Sequence, residues 1–383
     1  MTSLSVYVHF PWCLRKCPYC DFATSPLARD DIPHQAYADA VLRELEARAP
    51  ALAGARLRSV FFGGGTPSLW QPEQLGRVLA GIRAAFGDRH DPDVEITAEC
   101  NPSSLDARQA ERLCAAGINR ISVGVQSLDD DELRFLGRLH DRALALTALR
   151  AALAACPRVS ADLMFALPGQ PEPRFLGYVD ALLDLGLRHV SAYALTIEPS
   201  TPFGAQARKG LLQQAPDELY ANLFSGIEAR FAAAGLAHYE VSNYAAPGEE
   251  SRHNLHYWRG ESYLGLGAAA VGCLSRDGSG RRYRNQPDAA RYMERAALPS
   301  VEVFEEELDA QALIREALML GLRVADGVDL AALEARLGVD PRRGRERALE
   351  RRLARGDVLL EGIRLRVPHQ RWLLLDGIVA DLF

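Results

Sequence analysis

Pro11–Phe22 reads PWCLRKCPYCDF and spaces Cys13, Cys17 and Cys20 as Cys-x3-Cys-x2-Cys. Three thiolates can hold three irons of a [4Fe-4S] cube and leave the fourth iron without a protein ligand. Clusters used only for electron transfer usually have four cysteines. An open iron calls for an outside ligand, and S-adenosylmethionine (SAM) can chelate it through its amino and carboxylate groups. One electron from such a cluster cleaves the sulfonium and gives a 5'-deoxyadenosyl radical. The alternatives are three buried cysteines or part of a zinc site. Zinc sites normally pair C-x2-C with a second pair some distance on, and the sequence has no second pair.

On either side of this run, short β-branched stretches alternate with amphipathic ones. Strands are expected near Ser5–Phe10, Ser59–Phe62, Val94–Ala98, Arg120–Val125, Val159–Met164 and His189–Ala194. Helices are expected over Gln35–Ala49, Pro72–Phe86, Ala107–Ala116, Ala143–Ala155 and Pro173–Leu185. Repeated β-then-α units imply a parallel sheet with right-handed crossovers. Six units fit an α/β fold built as an incomplete (β/α)6 barrel better than an eight-unit closed one. A doubly wound sheet is the main competitor.

Barrel enzymes place their sites at the C-terminal ends of the strands. The first strand runs into the cysteine loop, the second ends in Gly63-Gly64-Gly65-Thr66-Pro67, and the third ends at Glu99. The fourth ends at Gln126, the fifth passes Asp162 and the sixth carries Tyr193. Glycines let the backbone approach a ligand closely and adopt positive φ. Glu99 and Asp162 could accept bonds from ribose hydroxyls or an ammonium, or could equally be caps or salt-bridge partners. Arg138 could grip a ligand carboxylate with its guanidinium fork, or be an ordinary exposed helix arginine.

The chain has 383 residues, 48% hydrophobic and 25% charged, enough for one large domain and a smaller one. Seven cysteines, three of them grouped, do not look like a secreted disulfide framework, and an oxygen-sensitive cluster suits a reducing cytoplasm. MTSLSVYVHFPWC has no charged start followed by a long apolar run, so no signal peptide is expected. A net charge of -6 argues against nucleic acid as the main partner. Cys100, Cys114, Cys156 and Cys273 are scattered among apolar neighbours and read as small hydrophobes.

CxxxCPYC, FFGGGTP, GVQS and DLMFALPGQ together resemble the radical SAM superfamily. More narrowly, they resemble the branch that contains the oxygen-independent coproporphyrinogen III oxidases and the HemW-type heme chaperones. The resemblance implies that Cys13, Cys17 and Cys20 bind the cluster. Tyr7, Gly64, Gly65 and Thr66 would line the SAM site, with Glu99, Gln126, Arg138 and Asp162 as further contacts and Tyr19 over the adenine. Two departures favour the chaperones. The oxidases carry a further cysteine two residues after the third, where this sequence has Phe22. They also have a long N-terminal extension, whereas Cys13 comes early here.

A third element points the same way. His253–Trp258 reads HNLHYW, similar to the HNxxYW motif that the chaperones associate with heme handling. A histidine can ligate heme iron, and Tyr257 and Trp258 offer flat apolar surface. Alternatively, His253 and Asn254 tie down a glycine-rich loop and the aromatics pack in a core. His256 and Cys273 are near in sequence.

The division expected is a partial barrel over 1–238, a connecting segment with HNLHYW over 239–304, and a small winged-helix-like unit over 305–383. That unit would have helices over Leu308–Arg323, Leu330–Leu337 and Arg343–Arg355, and a hairpin around Glu361-Gly362. Its arginines suit an acidic partner or anionic lipid better than DNA.

Three function classes stand. The first is a heme chaperone that delivers heme to an apo-hemoprotein such as a respiratory enzyme. The others are a decarboxylase of coproporphyrinogen III and another radical SAM enzyme. The chaperone reading implies heme, a [4Fe-4S] cluster and SAM as cofactors. Its implied partners are a recipient hemoprotein and an electron donor. A homodimer and peripheral membrane contact are further expectations; catalytic residues are not assigned.

Overall fold

The computed structural model describes residues 2–383. The six expected strands form, each longer than its apolar run or equal to it. They are β1 (Thr2–Phe10), β2 (Ala55–Gly64), β3 (His90–Cys100), β4 (Arg120–Gln126), β5 (Val159–Phe165) and β6 (His189–Ala194). They pair in parallel in chain order. Six more strands join the same sheet: β7 (Ala237–Glu240), β8 (Asn243–Ala245), β9 (Tyr263–Leu266), β10 (Val271–Arg276), β11 (Ser279–Asn285) and β12 (Glu302–Leu308). The order is β12-β11-β10-β9-β1-β2-β3-β4-β5-β6-β8-β7, with no pairing between the two outer strands, so the barrel is open. Residues within 239–304 thus add strands to the barrel sheet. β9 runs parallel to β1, and the later ones form an antiparallel meander.

The helices follow from local chemistry. Pro72–Phe86 starts with proline at its first position, where no donor is lost, and stops at Gly87 with φ 56°. Leu75, Val78, Leu79, Ile82 and Phe86 make its buried stripe. Asp106, Asp141 and Asp309 each accept a backbone N–H at a helix start.

Every second residue of the central strands faces the helices and is apolar, as in Val6, Val8, Val60, Phe62, Ile96, Ala98, Ile121 and Val123. The inward set is different. Ser5 lies opposite Ser59 and Tyr7 opposite Phe61; Ser59 lies opposite Glu95 and Phe61 opposite Thr97. Glu99 lies opposite Ser122, and Asp162 opposite Ser191. The barrel is therefore polar inside, unlike one filled by branched apolar layers.

The C-terminal unit has its own core of Leu313, Ile314, Leu318, Leu333, Val358, Trp372 and Ile378. Its helices are Ala310–Gly321, Leu330–Leu337, Glu346–Ala354 and the short Leu375–Ala380. Its hairpin gains a third strand, Val328–Asp329. Several arginines there are matched by acids: Arg352 by Asp357 and Asp381, Arg342 by Asp340, and Arg366 by Glu361.

Candidate functional site

The cysteine loop leaves β1 and is laced to the glycine turn after β2. The Gly65 N–H donates to Phe10 O (2.7 Å) and the Thr66 N–H to Trp12 O (2.9 Å). A Cβ on Gly65 would come within 2.4 Å of Trp12 O, so glycine is required for this approach. The far side of the loop is held where the Phe203 N–H donates to Pro18 O at 3.0 Å. Behind it, His9 Nε2 donates to Ala23 O (3.1 Å) and the Tyr7 hydroxyl donates to His9 Nδ1 (3.0 Å). Burial holds that imidazole neutral, lowering its pKa to about 4.

All three thiols are free and half-buried. Burial pushes Cys13 and Cys20 up, opposed by the Thr66 hydroxyl at Cys13 and the Phe22 backbone at Cys20. Arg138 Nη1 donates to Cys17 Sγ at 3.6 Å. Each sulfur therefore has its own donor, the kind of contact that tunes a thiolate-held cluster. Among the described residues, no three His, Cys, Asp or Glu side chains converge on a point where one metal ion could sit. A set of three thiolates, with no second C-x2-C pair in the sequence, is the donor set an iron-sulfur cube takes.

Beside this loop, the strand ends gather the remaining candidates. The Gly64 N–H donates to Glu99 Oε2 at 3.0 Å, with Gly64 at φ 105°. A Cβ on Gly63 would meet Glu99 Oε2 and the Tyr7 ring, both at 3.0 Å. Burial and the nearby Asp162 raise Glu99 to about 8, against the Gly64 N–H. Burial raises Asp162 to about 6, against hydroxyls of Ser191 and Ser122; Ser122 Oγ lies at 3.1 Å. A buried carboxyl pair in which Asp162 raises the cost of ionising Glu99 suits an ammonium or ribose hydroxyls. Gln126 ends β4 at φ 68° and its Oε1 accepts from the Tyr193 hydroxyl at 2.7 Å. A non-glycine residue there is strained, as at many ligand sites. Arg138 is no exposed helix residue. It follows the helix Asp130–Phe135, donates to Gly124 O (2.7 Å), and leaves its buried Nε without a partner. Tyr19 lies beside Phe203, ring centres 6.4 Å apart.

HNLHYW is brought elsewhere, and it is a helix (Arg252–Trp258), not a loop. Ser251 caps it by accepting the Asn254 N–H. Its first two N–H groups, from Arg252 and His253, point at the Glu95 carboxylate at 3.2 and 3.0 Å. Glu95 also takes Arg158 at 2.8 Å and has Arg120 at 4.0 Å. Arg120 starts β4 and Arg158 precedes β5, so the helix sits on the barrel floor, opposite the cysteine loop.

His253 is 1% exposed. Its ring stacks on Phe61 (4.9 Å), meets Tyr257 edge-on (4.8 Å), and bonds Ser59 Oγ through Nδ1 at 2.7 Å. Nε2 has no partner. That free nitrogen could ligate iron, but the ring is enclosed by Phe61 and Tyr257, so ligation would require those side chains or the helix to move. Tyr257 packs on Tyr263 (4.5 Å) and Trp258 reaches Glu240. His256 is bound to Ser262 O and Glu261. The packed-aromatic alternative therefore describes this conformation.

Sequence reading missed His9, Ser122, Ser191 and the Glu95 hub. Their signal was the alternation of polar with apolar residues along each strand, as in Ser5-Val6-Tyr7-Val8-His9.

A half-open barrel with three thiols at its C-terminal rim and a buried carboxyl pair beside them defines the radical SAM class. The radical SAM superfamily family matches residues 7–182, and the HemN C-terminal domain family matches residues 308–374. A protein of Mycobacterium tuberculosis H37Rv called Heme chaperone HemW is 36% identical over 380 residues, 98% of this chain and 94% of that protein. The Escherichia coli K12 protein of the same name is 39% identical over 273 residues, 71% of this chain and 70% of that one. Among solved structures, coproporphyrinogen III oxidase (HemN) from Escherichia coli superposes with TM-score 0.81 at 22% identity, covering 100% of this chain and 90% of that one. This last likeness concerns the fold.

The chain belongs to the HemW family of the radical SAM superfamily. Members of the superfamily hold a [4Fe-4S] cluster and SAM, and the residues at this rim fit both.

Proposed function

We propose that this protein is a heme chaperone, which binds heme and passes it to an apo-hemoprotein. The carrying observation is the end-to-end similarity to a protein called Heme chaperone HemW, across 98% of this chain. Phe22 supports it: the position where the oxidases carry a further cysteine is here a side chain 57% exposed to solvent.

In this reading Cys13, Cys17 and Cys20 would hold the cluster, and Arg138 would keep positive charge against Cys17. Gly64, Gly65, Thr66, Glu99, Gln126 and Asp162 would hold SAM, with Tyr7 and Tyr19 as further contacts. With both bound, the cluster can cleave the sulfonium by one electron. The remaining chemistry belongs to the chain: excluding water with Tyr7 and Tyr193, and holding a proton on Glu99.

The recipient would be a respiratory enzyme, with an outside electron donor and a homodimer as working form. The location would be cytoplasmic, with peripheral membrane contact. No helix among the described residues is long and apolar enough to cross a membrane. Exposed Leu373 and Leu374 share a surface cavity with Arg355 and Arg371, which suits recipient docking or anionic lipid. The work would divide among the partial barrel over 1–238, the connecting segment over 239–304, whose strands extend the barrel sheet, and the C-terminal unit over 305–383.

The test is to reconstitute the cluster anaerobically, add one equivalent of heme, desalt, and record the Soret band beside His253→Ala. A retained band weakened by the substitution supports the chaperone with heme at HNLHYW. A retained band that ignores it keeps the chaperone and moves the ligand elsewhere. No retained heme turns the reading to coproporphyrinogen III decarboxylation, assayed with SAM.

A further inference from the structure

A second cluster of imidazoles lies far from the rim, where the C-terminal unit meets the barrel. His238 is on β7, and His369 opens the turn His369–Leu374. They are 131 residues apart in sequence, and His238 Nδ1 lies 3.1 Å from His369 Nε2.

Their outer nitrogens fix the protons. His238 Nε2 faces Val241 O at 3.3 Å, and a carbonyl can only accept, so Nε2 carries the hydrogen. His369 Nδ1 faces Glu228 Oε1 at 2.5 Å, so it too is the donor. In two neutral rings, the inner nitrogens are then both lone pairs 3.1 Å apart, an arrangement that a cation or a shared proton relieves. Histidines that bind a metal almost always donate their other N–H to a carboxylate or a backbone carbonyl. Here one ring does each.

The rings are also rigidly held. His238 stacks on Tyr244 (4.1 Å, 16°) and meets Trp372 edge-on at 4.5 Å. A cavity of about 420 Å³, lined by His238, His369, Glu228 and Tyr244, opens onto the pair and leaves room for water ligands. At zinc–nitrogen distances of about 2.0–2.1 Å, an ion touching both nitrogens would subtend roughly 100°, near the tetrahedral value.

We propose that His238 and His369, oriented by Val241 O and Glu228, form a binding site for one imidazole-seeking divalent transition-metal ion such as Zn2+. The ion would join the C-terminal unit to the barrel. Glu228 is a positioning residue here, because it acts through His369. The site is separate from the cysteine loop and does not depend on the heme reading.

The test uses cluster-loaded protein, so that Cys13, Cys17 and Cys20 are occupied. It is titrated anaerobically with Zn2+ against a chromophoric chelator. The expected result is one zinc per chain, with X-ray absorption showing two imidazole nitrogens at about 2.0–2.1 Å. His369→Gln, at a partly exposed position, should lose zinc affinity at least tenfold while keeping the cluster absorbance and circular dichroism of the parent. Glu228→Gln should lose about 10- to 100-fold, and serves if His369→Gln does not fold. Equal uptake by parent and both variants would overturn the proposal. So would no uptake by the parent, which would leave a shared proton as the particle between the rings.

Discussion

Glu95→Gln tests what holds the HNLHYW helix in the barrel. Glu95 is 1% exposed and takes two helix N–H groups, Arg158 and the field of Arg120, itself 2% exposed. The amide keeps one acceptor oxygen and replaces the other with a donor. That donor must face either the His253 N–H or the guanidinium of Arg158. The substitution also removes the one buried negative charge between two guanidinium groups. Losing one partner of a buried pair costs about 3–5 kcal/mol, because the other charge stays buried. The helix N-terminus, which favours negative charge, loses its counterpart as well.

Measured by amide hydrogen exchange, residues 252–258 should open roughly 10²- to 4 × 10³-fold more often, at about 1.4 kcal/mol per tenfold. The cysteine loop, at the other end of the barrel, should exchange as before. Unchanged exchange at 252–258, or destabilisation below about 1 kcal/mol, would refute the reasoning. Arg158 would then be satisfied by Glu249, which it meets at 3.1 Å.

Three further outcomes are expected. Glu99 and Asp162 have folded pKa values raised to about 8 and about 6, so the fold favours their protonated forms; ligand-free stability should fall as pH rises from about 4 to 8. Glu99→Gln should flatten the upper part of that melting profile, and an unaltered profile would count against the carboxyl pair. Gly64→Ala forces a Cβ within 2.4 Å of the His9 ring at φ 105°; it should cost about 1–3 kcal/mol and abolish SAM binding, and normal SAM binding by calorimetry would contradict the close approach. Cys17→Ala should abolish iron-sulfur absorbance while circular dichroism is kept, whereas a full four-iron complement in that variant would sink the three-cysteine assignment.

The rim was largely legible, because each piece is local. The cysteine spacing, the glycine run after β2, and Glu99 at the end of β3 are properties of single short stretches. Strand alternation also gave the parallel core, since helix-covered strands need apolar residues at every second position. β9–β12 were harder: segments such as Gly272-Cys273-Leu274-Ser275 and Arg281-Arg282-Tyr283-Arg284 lack a long apolar run. They become strands by pairing with neighbours already in the sheet and by matching arginines to acids, as Arg281 and Arg282 do with Glu305 and Glu306.

By itself the sequence determined the class, a (β/α) barrel with a three-thiolate rim, because a cluster loop and its flanking strands are specified over a few residues. The tertiary structure alone decided where HNLHYW goes. Its six letters suit a ligand loop or a packed helix equally well. The choice falls to Glu95, some 160 residues away, whose buried charge is satisfied by that helix's N-terminus and two arginines. The pairing of His238 with His369 was likewise invisible in the chain. No local pattern links positions so far apart, and only the packing of the C-terminal unit on the barrel edge brings their nitrogens to 3.1 Å.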